Sequence, residues 1–327
     1  MRLGIIPILL GAGPRPLGGR SSIGRRAVAL ASIAVVAGAA ASCERSDAGA
    51  SAGRISVVAS FYPLAEAAAR VGGDDVAVAD LTPPGVEPHD LELDPNQVAD
   101  LADADVVLYL GGGFQPAVED AVAAAASGQR IDVLRGMPTT SAPPETGEST
   151  ALEVDPHVWL DPVLMRRIVG VVRRALDRAD PSREARFERN AAAFDDQLAA
   201  LDADYRAGLA SCRLRTIVTT HAAFGYLASE YGLTQEPITG ISPEAEPDPK
   251  RLAGLVSMIE RNGTTTIFTE PLVSSKVADT LASEAGAATA VLNPLEGLTP
   301  DQIASGADYV SVMRDNLAAL RRGLGCS

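Results

Sequence analysis

The fold turns on how residues 180–209, DPSREARFERNAAAFDDQLAALDADYRAGL, are read. Phe187, Ala191, Phe194, Leu198, Leu201, Tyr205 and Leu209 recur at spacings of three and four, the period of one helix face. Asp180-Pro181 supplies an N-cap residue and a first-turn proline. No Gly or Pro interrupts Ser182 to Arg206. Thirty residues at 1.5 Å each run about 45 Å, enough to cross two lobes of a chain this size. The alternative is an ordinary amphipathic helix confined to one lobe.

Either side of this segment, apolar runs alternate with helical stretches. The strand-like runs are Ile55–Ser60, Val76–Leu81, Val106–Leu110, Ile131–Leu134, Thr216–Thr220, Thr265–Thr269 and Thr289–Leu292. Most are continuously apolar, as expected of parallel sheet covered on both faces. Asp94-Pro95, Asp161-Pro162 and Asp248-Pro249 read as helix starts. Residues 138–152, rich in Pro, Thr, Ser and Glu, read as a solvent loop. The expected fold class is α/β with parallel-type sheets.

The chain has only three histidines, in Pro88-His89-Asp90, Asp155-Pro156-His157-Val158-Trp159 and Thr220-His221-Ala222. Each lies where a strand-like or loop segment gives way to a helical one. Neutral imidazole is the commonest metal ligand near pH 7. Three imidazoles converging on one point suit zinc. The bland alternative is three unrelated histidines in core or cap positions, and it weakens when all three contexts are weighed together. Trp159, the only tryptophan, reads as core packing.

Residues 1–42 hold five arginines and no acidic residue. Arg25-Arg26 precede a fifteen-residue apolar run, Ala27–Ala41, too short for a bilayer span of about 20 residues but suited to a signal-peptide core. Ala40-Ala41-Ser42-Cys43 resembles a lipobox, which makes Cys43 a candidate for lipidation and an N-terminal lipid anchor to the membrane. Residues 43–53 read as a flexible tether. Removing the leader takes the net charge from −14 to −19. So acidic a surface argues against nucleic acid as a partner. An exported chain meets an oxidising compartment, where a disulfide between Cys212 and Cys326 is expected; two free buried thiols are the alternative.

Several of these segments resemble one family. Thr82-Pro-Pro-Gly-Val-Glu-Pro-His-Asp-Leu-Glu-Leu-Asp-Pro-Asn-Gln is similar to the first metal-binding loop of the zinc/manganese-type solute-binding proteins of bacterial ABC importers. Asp155-Pro-His-Val-Trp-Leu-Asp-Pro resembles the second, and Thr220-His-Ala-Ala-Phe-Gly-Tyr-Leu the third. Phe268-Thr-Glu-Pro, Leu292-Asn-Pro-Leu-Glu-Gly and Tyr309-Val-Ser-Val-Met-Arg-Asp-Asn follow in family order. The resemblance implies two α/β lobes joined by one long rigid backbone helix, with the metal in the interlobe cleft. It divides the chain into a signal peptide (1–42), a tether (43–53), an N-terminal lobe (54–179), a linking helix (180–210) and a C-terminal lobe (211–327). His89 and His157 would come from the first lobe and His221 from the second.

The fourth ligand is open. The family commonly has an Asp where this chain has Asn293, and an amide oxygen is a weaker donor. The candidates are Asn293, Glu296, Glu270 or a water. Three imidazoles favour one Zn2+ per chain over manganese, whose preference runs to oxygen. The loop at 138–154 lacks the His-rich run of many zinc carriers and holds only Glu145, Glu148 and Glu153. The resemblance implies a monomeric, exported, lipid-anchored carrier that delivers zinc to an ABC importer permease and is not an enzyme. A manganese carrier, a zinc-dependent hydrolase and a metal-binding adhesin are the alternatives.

Overall fold

The computed structural model describes residues 53–142, 152 and 154–327. The expected leader, Cys43, most of the tether, and Glu145, Glu148 and Glu153 lie outside the described residues. Strands β1 (Ile55–Ala59), β2 (Val76–Asp80), β3 (Val106–Tyr109) and β4 (Gln129–Asp132) form a wholly parallel sheet in the order β2-β1-β3-β4. Helices α1 (Tyr62–Gly72), α2 (Pro95–Asp103) and α3 (Pro116–Ala125) are its crossovers. After α4 (Pro162–Ala179) and α5 (Glu184–Leu209) the pattern repeats. Strands β5 (Thr216–Thr219), β6 (Thr234–Pro237), β7 (Thr266–Thr269) and β8 (Ala288–Val291) are parallel in the order β6-β5-β7-β8. Their crossovers are α6 (Gly225–Glu230), α7 (Pro249–Asn262) and α8 (Lys276–Ala285), followed by α9 (Pro300–Ala304) and α10 (Tyr309–Leu324). In each sheet the winding reverses between the first and third strands. Such a reversal leaves a crevice at the carboxyl ends of the strands, where ligands bind in open α/β sheets.

The long helix starts later than its proline suggests. Pro181–Arg183 form a 3-10 turn, with the Asp180 side chain accepting from Ser182 N, and α5 proper begins at Glu184. Its 26 residues run about 39 Å. The seven apolar positions read from the sequence are its buried face. That face packs on α1 and α4 at one end and on α10 at the other. The Tyr205 hydroxyl donates to Met313 O at 2.7 Å, fixing α5 to α10.

β6 escaped the sequence reading. Its residues, Thr-Gln-Glu-Pro, carry no apolar run, because it is an edge strand held to β5 by backbone pairing and by Gln235 donating to Thr219 Oγ1. β4 lies two residues earlier than expected for the same reason, being a half-exposed edge. The Asp-Pro helix starts stand as read. Asp94 Oδ1 accepts from Asn96 N and Gln97 N, while the Gln97 side chain returns to Asp94 N, completing a capping box.

One buried apolar cluster runs through both sheets, from Ile55 and Val57 through Trp159 and Phe194 to Phe268 and Leu324. The two lobes therefore share a core. Among the described residues no helix is long and apolar enough to cross a membrane. Cys212 and Cys326 form a disulfide that ties the end of α10 to the segment before β5. It closes a loop of 114 residues in sequence. Reducing it should cost about 4–5 kcal/mol in the chain-entropy account. Thiol titration of the unreduced, unfolded chain should find neither cysteine free, and urea melts with and without reductant should differ by that amount.

Candidate metal centre

Each lobe delivers donors from the carboxyl ends of its strands. His221 lies two residues past β5, and its backbone N donates to Glu270 Oε1 at 3.1 Å. Glu270 itself follows β7. His157 precedes a 3-10 turn, Val158–Leu160, that leads into α4. Asp155 Oδ1 accepts from His157 N at 3.0 Å and lies 2.8 Å from His157 Nδ1. His89 sits in the loop between β2 and α2. That loop is anchored by Thr82 Oγ1 donating to Ser60 O and by Gly85 N donating to Leu298 O across the cleft.

The three rings converge with centroids 5.2–5.9 Å apart. At their centre stands Glu296, from the loop between β8 and α9. Its Oε1 lies 3.4 Å from His89 Nε2, 3.2 Å from His157 Nε2 and 3.1 Å from His221 Nε2. One donor atom from each of the four lies within 4.8 Å of every other. His157 and His221 are 0% exposed, Glu296 1% and His89 8%. His157 Nε2 has no aligned hydrogen-bond partner, as befits a nitrogen aimed at an ion.

The second ring nitrogens set the chemistry of the first. Asp155 at His157 Nδ1 and Glu270 at His221 Nδ1 hold the Nδ1–H tautomer and leave each Nε2 lone pair facing the centre. Gly225 is required beside this arrangement, because a Cβ there would lie 2.8 Å from Asp155 Oδ2.

Without an ion the cluster is a buried carboxylate among imidazoles. Burial alone would raise Glu296, but the three histidines outweigh it and hold the carboxyl well below its usual range. Burial opposes charge on His221 too, yet Glu270 and Glu296 raise it well above the ordinary imidazole value. His157 is likewise raised against burial, by Asp155 and Glu296. For His89 burial outweighs the pull of Glu296 and lowers it. Burial and the charge of Glu296 push Glu87 up to about 8.

The family model described as ZnuA, zinc-uptake complex component A periplasmic, matches residues 57–323. The chain belongs to that family. The zinc-binding protein AdcA of Streptococcus pyogenes is 37% identical over 290 residues, covering 82% of this chain and 56% of its own length. The chain thus spans little more than half of that relative. The high-affinity zinc uptake system protein ZnuA of Bacillus subtilis is 36% identical over 280 residues, covering 83% of this chain and 88% of its own length. Among solved structures, the Zn(II)-bound ZnuA-like domain of Streptococcus pneumoniae AdcA is 37% identical, with a TM-score of 0.72 over 83% of this chain and 99% of that one.

In this member of the zinc-uptake component A family, the candidates for a fourth donor separate cleanly. Glu296 is in the cluster. Glu270 stands behind His221 at the nitrogen away from the centre. Asn293 builds the turn that carries Glu296: its Oδ1 accepts from Leu295 N at 2.7 Å, and its backbone is clamped at both ends by the Asn316 side chain. Trp159 Nε1 donates to Pro294 O at 2.7 Å from the other lobe. These bonds hold Leu295 at φ 56°, the one left-handed residue other than glycine among those described. The sequence reading missed Asp155 and Glu87 as partners of the histidines; each lies two residues before one, and that spacing was the available signal.

Removing Asp155 or Glu270 by alanine substitution should lower metal affinity about 10–100-fold, because the imidazole behind each loses its tautomer and orientation. Asn293→Asp should not tighten binding, since Oδ1 is already engaged at Leu295 N. Competition with a chelating dye measures both.

Proposed function

We propose that this chain captures a single zinc ion outside the cytoplasmic membrane and delivers it to the permease of an ABC importer. The observation that carries the reading is the sealed set of three imidazole Nε2 atoms and one carboxylate oxygen. Zinc takes four nitrogen, sulfur or oxygen donors in a tetrahedron. His89, His157, His221 and Glu296 are its ligands in this proposal. Membership of the zinc-uptake component A family and the zinc-binding relatives support zinc as the cargo. The pneumococcal relative named a zinc-binding lipoprotein supports a lipid anchor, which we assign to Cys43. The carrier acts as a monomer, with residues 54–179 and 211–327 as its lobes and 180–210 as the link.

A zinc hydrolase needs an open coordination position for water. Here four protein donors surround the centre. Asp155 and Glu270, the carboxylates beside the rings, are held at Nδ1 nitrogens and are not placed as general bases toward an ion. Manganese prefers more oxygen ligands than this set supplies.

Protein purified without a tag should contain one zinc per chain and prefer zinc over manganese in competition. Each of His89→Ala, His157→Ala and His221→Ala should lower affinity by about 10–100-fold or more, taking the loss from outer partners as a lower bound. Unchanged stoichiometry and affinity in the His89→Ala, His221→Ala double variant would overturn the ligand set. Ester turnover by the zinc-loaded chain would redirect the reading to an enzyme. A deletion strain should fail to grow at low zinc. Because the lobes share a core, small-angle scattering should give nearly the same radius of gyration with and without zinc, while Trp159 fluorescence, 5.1 Å from the His157 ring, should change.

A further inference from the structure

Glu87 is unaccounted for by the four-donor site. Its Oε2 accepts from His89 N at 3.0 Å. Its Oε1 is buried, has no hydrogen-bond partner, and lies 4.0 Å from His89 Nε2, the nitrogen that faces the centre. Two donors of one tetrahedral zinc ion stand about 3.3 Å apart, given bonds of about 2.0–2.1 Å. The free oxygen is therefore within a small side-chain rotation of sharing an ion with His89. It stands outside the group of mutually close donors, so an ion held by Glu87 and His89 is not yet the ion held by all four.

Position gives this pair a direction. His89 is the most exposed of the four donors, and the Glu87 side chain is 13% exposed, between them and the exposed residues Pro83 to Val86. Asp155 and Glu270 lie on the opposite, Nδ1 side of their rings. Glu87 is thus the carboxylate with a free oxygen on the metal-facing side of a ring and a partial reach to solvent. Its loop is stiff, with prolines at 83, 84 and 88 and the bond from Gly85 N to Leu298 O.

We propose that Glu87 and His89 form a two-donor loading station, which catches an incoming divalent cation while it still carries water and passes it to the buried donors. Release runs back through the same pair. The station rests on the metal-binding reading above. A group that stabilises the passage more than either end state changes loading and release together.

The test is stopped-flow loading with zinc chloride and release into excess chelator, followed by a zinc-responsive dye, for wild type, Glu87→Gln and Asp90→Asn at 0.15 M salt. Glutamine still accepts from His89 N but puts an amide where the carboxyl would bind a cation; a melting scan checks its fold. In Glu87→Gln both rate constants should fall, each about tenfold, within the spread that single-site changes produce in rates. Asp90→Asn removes a solvent-exposed charge beside His89 without removing a donor, and should leave both rates near wild type, since an exposed charge acts only weakly through water and salt. Unchanged rates in Glu87→Gln overturn the station. So does faster release with unchanged loading, which would make Glu87 an ordinary ligand of the resting site. Equal slowing in Asp90→Asn assigns the effect to steering and overturns it too. A wild-type chain that takes up no zinc refutes the binding reading itself, and the station with it.

Discussion

A carboxylate buried among three imidazoles is the constraint on which the rest of this molecule depends. An ionised carboxyl taken out of water costs several kcal/mol unless it is matched by positive charge. Glu296 is 1% exposed, and its match comes from rings contributed by both lobes. Carboxylates raise His221 and His157 against burial, so these rings favour positive charge beside Glu296. A divalent cation would supply the same compensation more strongly.

That electrostatic arrangement needs a frame that does not yield. The turn carrying Glu296 is fixed by Asn316 from α10 and by Trp159 from the segment ahead of α4. Tyr309 donates in turn to Trp159 O. Trp159 packs against Phe61, Phe114 and His157, so an aromatic cluster of the N-terminal lobe underlies the centre, and the bonds of Trp159 to Pro294 and Tyr309 tie it to the other lobe. The left-handed Leu295 is tolerated because these bonds over-determine the turn. Opening the cleft as a clamshell would expose this cluster. Loop motion around His89 is the cheaper route for an ion.

Much of this was legible in the residues, for reasons that differ from element to element. Buried parallel strands announce themselves as apolar runs, so seven of the eight strands could be read, while β6, an edge of Thr, Gln, Glu and Pro, could not. The face of α5 was visible because burial imposes a period; its start was not, because a 3-10 turn and an α-helix share the same Asp-Pro opening. The histidines stood out by rarity and context. The fourth member of the cluster did not, since choosing among Glu270, Asn293 and Glu296 requires knowing which way a turn faces. Asn293 also illustrates that a family-like position can keep its place and change its work: it forms hydrogen bonds that aim the next-but-two residue.

The donor set bears on selectivity through geometry as well as softness. Affinity for divalent first-row metals rises toward copper whatever the site, so a carrier cannot select zinc by strength of binding alone. It can select by the coordination number it enforces. Three Nε2 atoms, each oriented from behind or by a stiff loop, and one carboxylate on a clamped turn define four directions. An ion that favours six oxygen donors would have to keep waters that the buried ligands leave little room for. Zinc, which has no electronic preference for geometry, accepts what the frame dictates. In the zinc carrier proposed here, discrimination against manganese would reside less in the histidines themselves than in the bonds to Asp155, Glu270, Asn316 and Trp159, which keep the donors from rearranging around a larger coordination sphere.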